Sequence, residues 1–153
     1  MQVKSTRFGE LDVAEKNILA FPHGMPGFPE ENKFAFLEYQ QDSPFYFLQS
    51  MTDADLAFLL IDPFAFFTDY EFSLDDQLAE EIGLTADNPP SVFNIATVKD
   101  KAENMTVNLV APLLINARDR KAVQIVLEKS DYPTRYRLFA PDSGNKTLAE
   151  GSK

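Results

Sequence analysis

The residues of this chain that could do chemistry are carboxylates in abundance and a single imidazole, His23. Asp62 with Asp69 or Glu71 has the makeup of a carboxylate pair for acid–base or glycosidic work. Nothing in the spacing pins such a pair. The chain has no Gly-rich phosphate loop, no Gly-x-Ser-x-Gly, and no alternating oxygen ligands of a calcium loop. His23 has no cysteine and no second histidine to share a metal with, so a structural or exposed imidazole is the expected reading. The carboxylates therefore read as a surface property, and a binding protein is expected rather than an enzyme.

Their distribution sharpens that reading. The formal net charge is −10, and between Phe34 and Val98 there is no Lys or Arg at all. Twelve acids lie in that interval, while the other twelve acids are outnumbered by the fourteen bases of the rest of the chain. A segment with no compensating cation repels nucleic acid, whose binding depends on neutralising phosphates. It attracts basic proteins and raises their on-rates by roughly 10 to 10³ at low salt. Solubility alone would account for an ordinary acidic surface.

The elements that must position these charges are mostly strands. Gln2 to Phe8 and Glu10 to Val13, hinged at Gly9, then Asn17 to Phe21, Lys33 to Tyr39 and Pro44 to Ser50, carry β-type composition. Leu56 to Ile61 is an apolar run of buried-strand length stopped by Asp62-Pro63. Val92 to Val98 and Ala122 to Leu127 add two more strands, Lys99 to Asn104 a charged hairpin turn, and Tyr132 to Phe139 a short arm. Phe21 to Pro29 holds three prolines and two glycines, which predicts an ordered loop whose two phenylalanines pack somewhere dry.

Ser73 to Gly83 is the one expected helix, with Ser73 as N-cap, Asp76 in the reciprocal capping position, Gly83 at the end, and Leu74, Leu78 and Ile82 as its apolar stripe. Its outer face is Asp75, Asp76, Gln77, Glu80 and Glu81. Met105 to Ala111 alternates as a strand with one dry side, and Pro112 predicts a corner before Leu113 to Ile115. Phe66, Phe67 and Tyr70 stand among acids and are candidate aromatic anchors for a partner. Ten short strands against one helix predict a mainly β, single-domain fold over residues 1–140, closed or nearly closed into a small barrel. Residues 141–153 are expected to be a disordered tail. No cysteine, no leader and no run near the roughly 18 apolar residues of a membrane span point to a cytoplasmic chain.

Six motifs in series carry a resemblance. Thr6-Arg7-Phe8-Gly9-Glu10, Phe21 to Phe28, Pro44 to Ser50, Ile61-Asp62-Pro63, Asp69-Tyr70-Glu71-Phe72 and Met105 to Asn116 are similar, in order and spacing, to the flagellar assembly factor FliW family over about Val3 to Leu138. Met25 stands where that pattern has Leu, a volume-conserving departure. The resemblance implies a cytoplasmic, non-enzymatic, cofactor-free regulator that binds flagellin and the RNA-binding translational repressor CsrA. Flagellin occupancy then releases CsrA onto the flagellin messenger. Joined to the charge pattern, it places CsrA contacts on Asp69, Glu71, Asp75, Asp76, Glu80 and Glu81. A flagellin-binding chaperone with no regulatory role is the alternative.

Overall fold

Period-two alternation of apolar residues builds a barrel whose inner and outer faces are both dry over part of the wall. The computed structural model describes residues 1–98, 102–127 and 130–139. Its strands are β1 (Gln2–Ser5), β2 (Gly9–Asp12), β3 (Ile18–Ala20), β4 (Lys33–Glu38), β5 (Phe45–Ser50) and β6 (Ala57–Ile61). After helix α1 (Asp76–Glu81) come β7 (Ser91–Thr97), β8 (Thr106–Val107), β9 (Leu113–Asn116), β10 (Lys121–Gln124) and β11 (Tyr136–Arg137). β1 and β2 form a separate hairpin. The others form one sheet in the order β11-β8-β7-β6-β5-β4-β3-β10-β9, and β7 also pairs with β9, closing seven strands into a barrel. All pairings are antiparallel except β3 with β10, a parallel contact at Lys121 and Ala20. The expected tail at 141–153 and the centre of the turn at 99–101 lie outside the described residues.

Side chains sort by strand parity. Phe34, Leu48, Leu60, Leu113, Ile115 and Ala122 meet inside the barrel, with Phe36, Tyr46 and Phe93 packed against them. Their neighbours point outward into other clusters: Ala35 under the β1–β2 hairpin, Ile61 and Ala96 under the 66–72 segment, and Leu114 and Val123 under α1. Burying each of the larger side chains among these, the leucines, isoleucines, Val123 and Phe34, contributes about 1.5–3 kcal/mol, so the wall is stabilised from both sides. The same reasoning explains why Phe47 to Ser50 is buried without interruption.

The stretch from Met105 to Asn116 runs along β7 but is not one strand. Ala96 pairs with Val107 and Phe93 with Leu113, so five residues, 108–112, oppose two on β7. Three extra residues are an odd number, so they reverse the facing of everything that follows. Met105, Val107 and Leu109 join the outer cluster, whereas Leu113 and Ile115, of the same parity in sequence, enter the barrel. The excursion is held by hydrogen bonds: Val110 N to Asn108 Oδ1 at 3.0 Å, Asn94 Nδ2 to Asn108 O at 2.9 Å, and Leu127 N to Val110 O at 2.7 Å. Burial does alternate from Met105 to Ala111 as expected, but the ladder stops at Val107, and the Pro112 corner is part of this excursion.

Two other expectations change. The helix starts later than Ser73: Asp75 is its N-cap, accepting from Leu78 N at 3.3 Å, and Ser73 and Leu74 lie before the helix, in no regular element. Asp76 is therefore the first helical residue and not a capping-box partner. The 21–29 loop is ordered, with Phe21 and Met25 in the barrel core, but Phe28 stays exposed and packs edge-on to Phe58. Gly24 has φ +73, and a Cβ there would lie 2.8 Å from Pro29 O, so this loop closes only around glycine.

Candidate protein-binding groove

Pro63 ends β6 and forces the chain out of the ladder, and residues 66–75 then cross the outer face of the sheet outside any strand, through a turn closed by Tyr70 N donating to Phe67 O at 3.0 Å. Asp62 serves this turn, its carboxylate accepting from Phe64 N at 3.0 Å. The 130–139 arm runs antiparallel to the crossing segment. Tyr132 packs on Tyr70, Tyr136 edge-on to Phe67 at 5.0 Å, and Phe139 edge-on to Phe66. The Tyr132 hydroxyl accepts from Glu71 N at 3.1 Å and lies 3.2 Å from Glu71 O, meeting a backbone stretch that has no strand partner. Between these walls lies a groove of about 1470 Å³.

Asp69, Glu71 and Asp75 line this groove together with Phe66, Phe67 and Tyr70. Asp76, Glu80 and Glu81 lie outside it, exposed on α1, whose first turn forms the groove's end through Asp75 and Leu78. Of these six acids, none has a Lys or Arg within ion-pair distance among the described residues, and only Glu81 has an imidazole beside it. That group is the exposed His23, its Nε2 3.3 Å from Glu81 Oε1. Asp62 does not line the groove, so the carboxylate pair considered from sequence is not assembled there.

Of the three candidate anchors, Phe66 and Phe67 are half-buried, but Tyr70 is only 4% exposed and is not an accessible anchor. It is a structural pin: its hydroxyl donates to Leu109 O at 2.6 Å and accepts from Asn94 Nδ2 at 3.1 Å. Burial is the main cause that pushes its pKa up, to about 12, with the Asn94 hydrogen bond opposing. Because the phenol binds its proton more tightly folded than unfolded, its contribution is fully present below about pH 10 and is lost as pH rises toward 12. Tyr70→Phe is expected to lower stability by about 1–3 kcal/mol at neutral pH, since Leu109 O and Asn94 Nδ2 lose a buried partner. Urea melts across pH 8 to roughly 12 would check both statements, because the variant should lose part of the alkaline decline.

The arm contributes what the sequence reading had missed: Tyr132, Arg135, Tyr136, Arg137 and Leu138. A signal was there, in the alternation of Arg135 and Arg137 with Tyr136 and Leu138. No cluster of three or more His, Cys, Asp or Glu among the described residues could hold a metal ion. No helix among them is long and apolar enough to cross a membrane.

A closed seven-stranded barrel with an external aromatic groove and an acidic helix beside it places the chain among small β-barrel proteins. The model of the family described as FliW protein matches residues 2–138, and the chain belongs to the FliW family. It is 50% identical over 153 residues, all of both chains, to the flagellar assembly factor FliW of Desulfitobacterium hafniense strain Y51. It is 40% identical to that of Heliobacterium modesticaldum, over 99% of each chain. A crystal structure of the flagellar assembly factor FliW superposes with TM-score 0.85 at 36% identity, covering 94% of this chain and 100% of that one.

Proposed function

We propose that this protein is a cytoplasmic, non-enzymatic regulator of flagellar assembly that binds CsrA and flagellin in a mutually exclusive way. Free protein then holds CsrA off the flagellin messenger, and accumulated flagellin displaces CsrA. Membership of a family whose curated relatives are named flagellar assembly factors supports the setting. The observation that carries the choice of a cationic partner is the run of exposed acids Asp69, Glu71, Asp75, Asp76, Glu80 and Glu81, five of them with no cation near among the described residues. Such a surface steers a basic protein toward itself and away from nucleic acid. Phe66 and Phe67 in the adjoining groove offer aromatic area beside the charge.

The decisive measurement is a titration of flagellin into a preformed complex of this protein with CsrA, followed by size-exclusion chromatography or fluorescence. CsrA is expected to be released in proportion to flagellin bound. CsrA that stays bound at saturating flagellin would remove the switch and leave a flagellin-binding chaperone.

A further inference from the structure

Among the described residues the arm ends the nine-stranded sheet, and β11 is an open edge. Its pairing determines which groups that edge offers. Leu138 N donates to Met105 O, and Tyr136 lies opposite Val107. In an antiparallel ladder the directly bonded pairs recur every second residue, so Tyr136 and Leu138 face β8. The N–H and C=O groups of Arg135 and Arg137 consequently point away from the sheet. Both residues line the groove.

Charge at this edge is unbalanced in the opposite sense from the cation-free interval between Phe34 and Val98. Arg137 reaches Asn104 Oδ1 at 2.9 Å and Glu103 O at 3.5 Å through Nη2, but its Nε is buried with no hydrogen-bond partner. Among the described residues neither Arg135 nor Arg137 has a carboxylate within ion-pair distance. An unmatched, partly buried guanidinium is costly, and a carboxylate meets it with charge-assisted hydrogen bonds. Both arginines line the same groove as Phe66 and Phe67, while Glu71 lies at its Tyr132 end, where the Tyr132 hydroxyl meets the Glu71 backbone N–H. An occupant acidic throughout would be repelled there.

We propose that the β11 edge accepts an extended segment of a partner protein as an added strand. The segment carries carboxylates at one end, over Arg135 and Arg137, followed by an apolar stretch along Phe66, Phe67 and Leu138. Main-chain pairing supplies affinity and the two guanidiniums select the charged end. This site goes beyond the acidic-helix reading and does not depend on it.

The test uses the isotopically labelled full chain and a capped synthetic peptide, Glu-Val-Glu-Val-Thr-Phe-Thr. Saturable binding is expected, with slowed hydrogen exchange at the amides of Arg135 and Arg137. Arg135→Glu, which breaks no described contact, should weaken binding on the order of tenfold, as expected for a charge-assisted contact turned repulsive. N-methylation of alternate peptide amides should abolish binding in one register and spare it in the other. No binding, equal binding by the peptide with Lys in place of Glu, equal binding by both N-methyl registers, or shifts confined to α1 would each overturn the proposal. Binding seen only after removal of residues 140–153 would assign the edge to the chain's own C-terminal segment. Binding lost through concentration-dependent self-association would assign it to a second copy. Either result also overturns the partner.

Discussion

Asn116→Ala is expected to lower the unfolding free energy by about 2–3 kcal/mol, because a fully buried amide with four hydrogen bonds would be replaced by a methyl group. Its Nδ2 donates to Ile82 O at 2.6 Å and to Asp119 Oδ2 at 3.0 Å. Its Oδ1 accepts from Asn88 Nδ2 at 2.9 Å and from Asp119 N at 3.1 Å. These bonds tie the end of α1 to the β9–β10 turn, where the last helical carbonyls have no partner in the helix itself. Asn88→Ala should cost less, since Asn88 is half-buried and water can replace it. Urea denaturation gives the energies. Hydrogen exchange should show the amides of Ile82 and Leu84 opening sooner in Asn116→Ala, and an unchanged midpoint would mean that this seam does not hold the helix. Gly83 sits in the same seam at φ +83, where a Cβ would lie 2.7 Å from Asp119 Oδ2 and 2.8 Å from Asn116 Nδ2.

Neutralising the helix face is expected to act on association instead. In a variant with Asp75 and Asp76 changed to Asn and Glu80 and Glu81 to Gln, the CsrA on-rate should fall roughly tenfold at low salt. The difference should close as ionic strength passes about 0.15 M, where the screening length is about 8 Å. Stability should hardly change. Asn is as good an N-cap as Asp at position 75, and removing the Asp76–Glu80 repulsion returns about 0.2–0.5 kcal/mol. Stopped-flow kinetics over a salt series measures the effect, and an unaltered rate and salt slope would sink the placement of CsrA on α1. The two variants are separable, because Asn116→Ala loosens the helix with its charges intact while the charge variant keeps the helix in place.

Much of the fold was legible in the chain. Leu56 to Ile61 announced a buried strand by its unbroken apolar run, and Phe45 to Ser50 a strand dry on both faces, because β-strand side chains alternate at a fixed period. The one helix was found from Leu74, Leu78 and Ile82, whose spacing survives in the packing of α1. Its start was misplaced by two residues, since Ser73 and Asp75 are both good caps and the choice lies in whether residue 74 extends the crossing segment. Tyr70 read as a candidate anchor because aromatic residues beside acids look alike whether the ring points in or out. Leu109 O and Asn94, far away in sequence, decide that it points in.

What the sequence determined by itself was local or additive: the family motifs, the cation-free middle third, and the strand and helix periods. What the tertiary structure alone decided was long-range. It brought the 130–139 arm against the 66–72 segment and made β11 the open edge among the described residues. It also reversed the facing of the chain between Leu109 and Leu113 by setting five residues against two. Parity along one strand can be read from the chain itself, but pairing across strands depends on how many residues the neighbour spends over the same distance, and no local pattern records that number.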